Sequence, residues 1–175
     1  MYGRASLLPD VTDPAAVSYV PIGVVRSPYG RLDGMPLQTA AAPEVDATVE
    51  LEPRVHGALR DLDGFSHLWL VVHLHRVTGW QPEVVPFLDD ERPRGVLATR
   101  SPRRPNPIGL SLVALRAVAP DELAIRGIDL LDGTPVLDVK PYVPLFDARA
   151  DARAGWFGTA AGRVHSVRSD DRYGA

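Results

Sequence analysis

Seventeen prolines are spread through this 175-residue chain instead of being gathered in one linker. Each proline lacks a backbone donor and clashes with the preceding helical turn, so a chain punctuated this way does not build a bundle of long helices. It suits short strands joined by ordered turns. The densest cluster is Arg100-Ser-Pro-Arg-Arg-Pro-Asn-Pro-Ile-Gly109, with three prolines and three arginines between two apolar runs. Such a stretch is neither a helix interior nor a central strand. It is a stiff, charged loop.

The apolar pattern between the prolines reads mostly as strands. Residues 19–27 are β-rich and run into the turn Pro28-Tyr29-Gly30, and residues 31–43 form a loop with few apolar anchors. In residues 45–52, Val45, Ala47, Val49 and Leu51 alternate with polar neighbours, as in a half-buried strand. Residues 53–62 begin with proline at a first helical position, space Val55, Leu59 and Leu62 at helical intervals, and stop at Asp63-Gly64. Residues 65–76 form the strongest strand, with Leu68, Leu70, Val72 and Leu74 on a core face. Its other face carries His67, Trp69, Val71, His73 and His75, the lining of a cavity or an interface. Residues 95–100, 110–118, 123–131 and 136–139 complete the set, the last two separated by the tight turn Asp132-Gly133-Thr134-Pro135.

About seven strands and one short helix predict a mainly-β, single β-barrel-like domain over residues 19–146. An N-terminal arm (1–18) precedes it, and a C-terminal tail (147–175), partly ordered and rich in Ala, Arg, Asp and Gly, follows. Nothing in the spacing repeats as βαβ, and the glycine fingerprint of a dinucleotide site is absent. No cysteine occurs, so disulfides, thiolate metal sites and cysteine nucleophiles are excluded. No apolar run reaches the length of a signal-peptide core or a membrane span, which makes the cytoplasm the expected location. The net charge of −3 advertises no polyanion partner, so any nucleic-acid contact would come from a local patch.

Four segments in order, PIGVVRSPYG (21–30), GFSHLWLVVHLHR (64–76), GVLATRSPRRPNPIGLSLV (95–113) and IDLLDGTPVLDVKPYVP (128–144), resemble the TsaA-like family. Its members are tRNA N6-threonylcarbamoyladenosine methyltransferases that use S-adenosyl-L-methionine. The resemblance covers roughly residues 20–144. It implies a single β-barrel that binds the cofactor without a Rossmann sheet, works as a homodimer and uses no metal. By motif, it places cofactor contacts at Pro36, Gln38, His75, Arg76, Arg100, Leu110, Asp132, Gly133, Thr134 and Pro135. Leu37 stands where bacterial relatives often carry arginine. Longer members add a C-terminal domain, whereas here about thirty residues follow Pro144.

Under that resemblance Arg100 can fork onto the cofactor's carboxylate, the alternative being a solvated surface arginine. Arg103 and Arg104 can meet tRNA phosphates or simply form a solvated basic loop. Arg104 and Asn106 each precede a proline and are held in extended conformations. Asn106 either positions the substrate or shapes the loop through backbone hydrogen bonds. Lys140 and Tyr142 alternate with Asp138 on one face, lining the acceptor side or, for Asp138 and Lys140, making a structural ion pair. His73 and His75 form an HxH pair compatible with a metal, but no third acidic ligand stands nearby, and cavity histidines are the simpler reading. His75 and Arg76 should point to opposite faces of a strand, so for both to touch one ligand the backbone or the strand's end must intervene.

The implied reaction is methyl transfer to the ureido-type nitrogen of threonylcarbamoyladenosine beside the tRNA anticodon. His73, His75 and Asp138 are candidate proton acceptors, with none singled out. A small-molecule acceptor and a non-catalytic cofactor-binding module are the competing readings.

Overall fold

The computed structural model describes residues 16–89 and 92–170. Residues 1–15 of the predicted arm and 171–175 of the predicted tail lie outside that range. Six strands close into a barrel. They are β1 (Gly23–Arg26), β2 (Asp46–Leu51), β3 (His67–His73), β6 (Ile108–Val118), β7 (Glu122–Arg126) and β8 (Pro135–Pro141). Between β3 and β6, the short strands β4 (Glu83–Val84) and β5 (Arg94–Gly95) make a separate two-stranded sheet. The barrel order is β1-β2-β7-β6-β3-β8, with every neighbouring pair antiparallel. Closure leaves no barrel strand with an unpaired edge.

The period-2 pattern drives this arrangement. Leu68, Leu70 and Val72 of β3 are fully buried, as are Val49 of β2, Val113 of β6, Ile125 of β7 and Val136 of β8. Together they fill the barrel, and burying each side chain of this size contributes on the order of 2 kcal/mol. Register shifts at Val71/Val72 and at Leu115/Ala117 bend β3, β6 and their partners, which a barrel this small requires. Gly23 makes the β1–β2 approach possible, because a Cβ there would collide with the Glu50 carbonyl oxygen.

Three expectations need correction. The predicted helix over residues 53–62 is a 3-10 helix, Pro53–Leu59. The chain then turns through Asp61, the one non-glycine residue with positive φ (65°) among those described. The strand expected at 95–100 is paired only at Arg94 and Gly95. Val96–Ala98 closes into a 3-10 turn because Thr99 donates to the Val96 carbonyl through both its amide, at 3.1 Å, and its hydroxyl, at 2.8 Å. The strand expected at 123–131 ends at Arg126, since Gly127 adopts φ +82° and turns the chain. Ile128, Leu130 and Leu131 are buried all the same, packed in rather than paired. Apolarity marked them correctly; only their backbone state differs.

Past β8 come the short helices α1 (Pro144–Asp147) and α2 (Phe157–Ala160). The described part of the predicted tail lies against the body. Trp156 Nε1 donates to the Ala98 carbonyl at 2.8 Å, and the Arg94 guanidinium sits 5.2 Å from the Trp156 ring centre. Farther on, Ser169 N donates to the Met35 carbonyl (2.9 Å) and Gly34 N to the Ser169 carbonyl (2.8 Å). No helix among the described residues is long and apolar enough to cross a membrane.

Candidate functional site

At the barrel end where β3 finishes and β6 and β8 begin, loops enclose a cavity of about 820 Å³. That is the size range of small-molecule and cofactor sites. Its walls come from distant stretches: the 31–43 loop, the turn after β3, the proline–arginine loop, the buried 129–131 segment and the tail around Trp156 and Ser169.

The proline–arginine loop is shaped from within. Ser101 N donates to Thr99 Oγ1 at 3.1 Å, Arg103 N to Ser101 Oγ at 3.3 Å, and Arg104 N to the Pro102 carbonyl at 2.8 Å. Arg104 Nη1 donates back to the Thr99 carbonyl at 3.3 Å. Ile108 N donates to the Asn106 carbonyl at 2.7 Å, a tight turn that delivers the chain into β6. The loop-shaping role weighed for Asn106 is thus carried by its backbone. Asn106 lines the cavity, and its carboxamide makes no hydrogen bond among the described residues.

Arg100 Nη1 donates to Gln38 Oε1 at 2.7 Å, which joins the first loop to the second across the mouth. Pro36 and Leu37 flank Gln38 on the cavity wall. Strand β3 ends at His73, and Leu74 N donates to the Pro107 carbonyl at 2.8 Å. The alternation that would have separated His75 from Arg76 therefore stops before them, and both line the cavity. Partial burial, with Arg76 and His73 nearby, holds His75 below the ordinary histidine range and keeps its ring neutral at pH 7. His73 is exposed on the outer face of β3.

Of the fifteen residues predicted for the site, Pro36, Gln38, His75, Arg76, Arg100, Arg104, Asn106, Leu110 and Thr134 line this cavity. The other residues of the 132–135 turn sit behind Thr134. Asp132 Oδ1 accepts from Ser27 N (3.2 Å), Gly133 adopts φ +77°, and Pro135 starts β8 beside Val24. Arg103 lies partly buried beside the cavity wall, its carbonyl accepting from Gln81 N at 3.4 Å. Lys140 and Tyr142 are at the opposite barrel end. Lys140 pairs with Asp138 at 2.7 Å, and Tyr142 packs edge-on against Trp69, 5.9 Å between ring centres.

Ser111 and Asp129 are among the lining residues that escaped the sequence reading. Ser111 shares the inward parity of Val113 on β6 yet is polar and buried. Its hydroxyl donates to Asp129 Oδ1 at 2.6 Å. Burial pushes the Asp129 carboxyl up to about 6, against the opposing effects of Ser111, Arg100 and the Thr39 backbone. The available signal was a single acid inside the apolar run IDLL and a lone serine in LSLV.

The profile of the tRNA-methyltransferase O N-terminal domain matches residues 24–148. The chain belongs to that family. A probable S-adenosyl-L-methionine-binding protein of Pyrococcus abyssi is 42% identical over 91% of this chain and 86% of its own length. The Escherichia coli tRNA (adenine(37)-N6)-methyltransferase is 40% identical over 77% of this chain, which spans 61% of that enzyme. The crystal structure of TrmO from Pseudomonas aeruginosa superposes with a TM-score of 0.68 at 42% identity, covering 81% of this chain and 62% of that one. Against the E. coli and P. aeruginosa relatives, then, this chain corresponds to about three-fifths of the length.

Proposed function

We propose that this protein is an S-adenosyl-L-methionine-dependent methyltransferase that N-methylates threonylcarbamoyladenosine in tRNA. The observation that carries the reading is convergence. Pro36, Gln38, His75, Arg76, Arg100 and Leu110, scattered over more than seventy residues of chain, face one cavity. The lining fits the cofactor: a guanidinium fork for a carboxylate at Arg100, apolar wall at Leu110 and Leu131, and a half-buried acid at Asp129. The names of the relatives in Pyrococcus and E. coli supply the cofactor and the adenine acceptor in this reading.

S-adenosyl-L-methionine brings a methyl group already activated on a sulfonium, so positioning and exclusion of water are what the protein must add. Arg100, steadied by Gln38, fixes the carboxylate end. Leu110 and the 129–131 segment keep the interior dry. Asn106, with its carboxamide uncommitted at the rim, holds the acceptor, and Arg103 and Arg104, partly buried in the same loop, add positive charge beside the path of the tRNA backbone. His75, neutral at pH 7, can take a proton at a ring nitrogen. The same reading takes the protein as a homodimer, for which Leu145 (89% exposed) and Phe146 (60% exposed) offer an apolar surface.

The test is transfer of labelled methyl from the cofactor to tRNA prepared with and without the threonylcarbamoyl group. Label should enter only the modified tRNA. Equal labelling of both would overturn the substrate assignment, and cofactor binding without any transfer would overturn the activity.

A further inference from the structure

Asp129 is a costly group to build into a wall. Its carboxylate is half-buried on the cavity side of the barrel and takes part in no ion pair among the described residues. The charged and polar groups that face it are known from each packed element. Ser111 on β6 donates at 2.6 Å, and the Thr39 backbone approaches from the first loop. Arg100 acts from the proline–arginine loop and Tyr29 from the segment after β1. Arg100 is the cation in that set, and it is exposed and hydrogen-bonded to Gln38. Hydrogen bonds from Ser111, the Thr39 backbone and its own backbone orient the carboxylate without neutralising it. A charge removed from water and left without a counter-charge is unfavourable unless a ligand supplies one.

Among the charged side chains on the rest of the mainly apolar lining, Arg76, Arg100 and Arg104 are cationic, and Asp170 is the other acid. A methyl donor carrying a sulfonium is poorly suited to such a wall except where Asp129 faces it. We propose that the Asp129 carboxylate is the pocket's counter-charge for the sulfonium, so that the cationic donor is held ahead of the neutral thioether left after transfer. This rests on the cofactor part of the reading above and is independent of which RNA accepts the methyl. It gives the product a reason to leave: once the methyl has gone, the sulfur is neutral and the attraction to Asp129 is lost.

Titration calorimetry with S-adenosyl-L-methionine and with S-adenosylhomocysteine, between pH 5 and pH 8, tests this without any turnover. For the unaltered protein, donor affinity should fall about tenfold as the pH drops from 7.5 to 5, because Asp129 takes up its proton in that range. Affinity for the homocysteine product should change far less. Any protonation of His75 acts on the amino-acid head that both ligands share, so the Asp129 effect is the difference between the two curves. In Asp129→Asn the donor should bind about tenfold or more weakly at pH 7.5, with its pH dependence gone and product affinity unchanged. Ser111→Ala, which removes a hydrogen bond to the ionised form, should move the midpoint of donor binding to higher pH. Equal weakening of donor and product in Asp129→Asn would show that Asp129 reads a part they share and would overturn the proposal. So would an unchanged pH midpoint in Ser111→Ala. If the unaltered protein binds neither ligand, the cofactor reading itself fails; if it binds both but labels no tRNA, only the acceptor reading does.

Discussion

Arg100 and Gln38 meet across 62 positions of sequence, and that 2.7 Å hydrogen bond is what turns two loops into one wall. A guanidinium presents a planar fork that an ammonium lacks, so the two cations are not equivalent here. Arg100→Ala should weaken cofactor binding by about 2 kcal/mol, and Arg100→Lys by roughly half as much, with calorimetry as the measure. Asp129 makes the opposite kind of prediction, one of stability. An unfolded aspartate titrates at about 3.9, whereas burial in this fold pushes Asp129 up to about 6. The folded state therefore binds the extra proton between those values, and stability falls as pH rises through that window, by up to about 3 kcal/mol. Asp129→Asn should melt a few degrees higher than the unaltered protein at pH 7.5, and the two should converge at pH 4. A thermal melt at both values checks it. The same two residues show where sequence reading stops. Arg100 announced itself by following a short apolar run and opening a proline loop, but Asp129 acquires its meaning only from Ser111, eighteen positions away.

The elements owe their legibility to periodicity. Strand β3 could be read because Leu68, Leu70 and Val72 repeat every second position and all three are buried. The segment from Ile128 to Leu131 carried the same apolar signal but lacks partners, because a positive φ at Gly127 takes it out of the ladder. Composition cannot distinguish an apolar stretch that pairs from one that packs. The contacts of the tail were illegible for a related reason: Trp156 holds it through one hydrogen bond and one cation–π contact, neither of which leaves a periodic trace. Trp156→Ala should leave the far-UV signature of the barrel intact while loosening this side of the cavity, with cofactor affinity lower by about 1 kcal/mol. Where β6 crosses β3, Gly109 is required by space. A Cβ there would lie 2.7 Å from Val72 Cγ2 and 2.9 Å from Leu74 Cδ2. Gly109→Ala should cost about 1–3 kcal/mol in denaturant unfolding, as overpacking does.

At the scale of the whole molecule, barrel closure is what places the site. Antiparallel pairing makes β3 finish where β6 and β8 begin, so the turn after β3, the proline–arginine loop and the 132–135 turn arrive at one end together. The abundance of prolines and the strand pattern led to a β-barrel, and the barrel is there. They could not say which residues share an end. Lys140 and Tyr142 lie within ten residues of Thr134 in sequence, yet β8 carries them to the opposite rim, beside Trp69. The account stands on the claim that this one end holds S-adenosyl-L-methionine. A crystal structure with the cofactor soaked in tests that most directly. The account predicts the methionyl carboxylate within hydrogen-bonding reach of Arg100, the sulfonium facing Asp129, and Leu110 against the cofactor. Cofactor bound at any other surface, or lying in this cavity with its carboxylate away from Arg100, would contradict it.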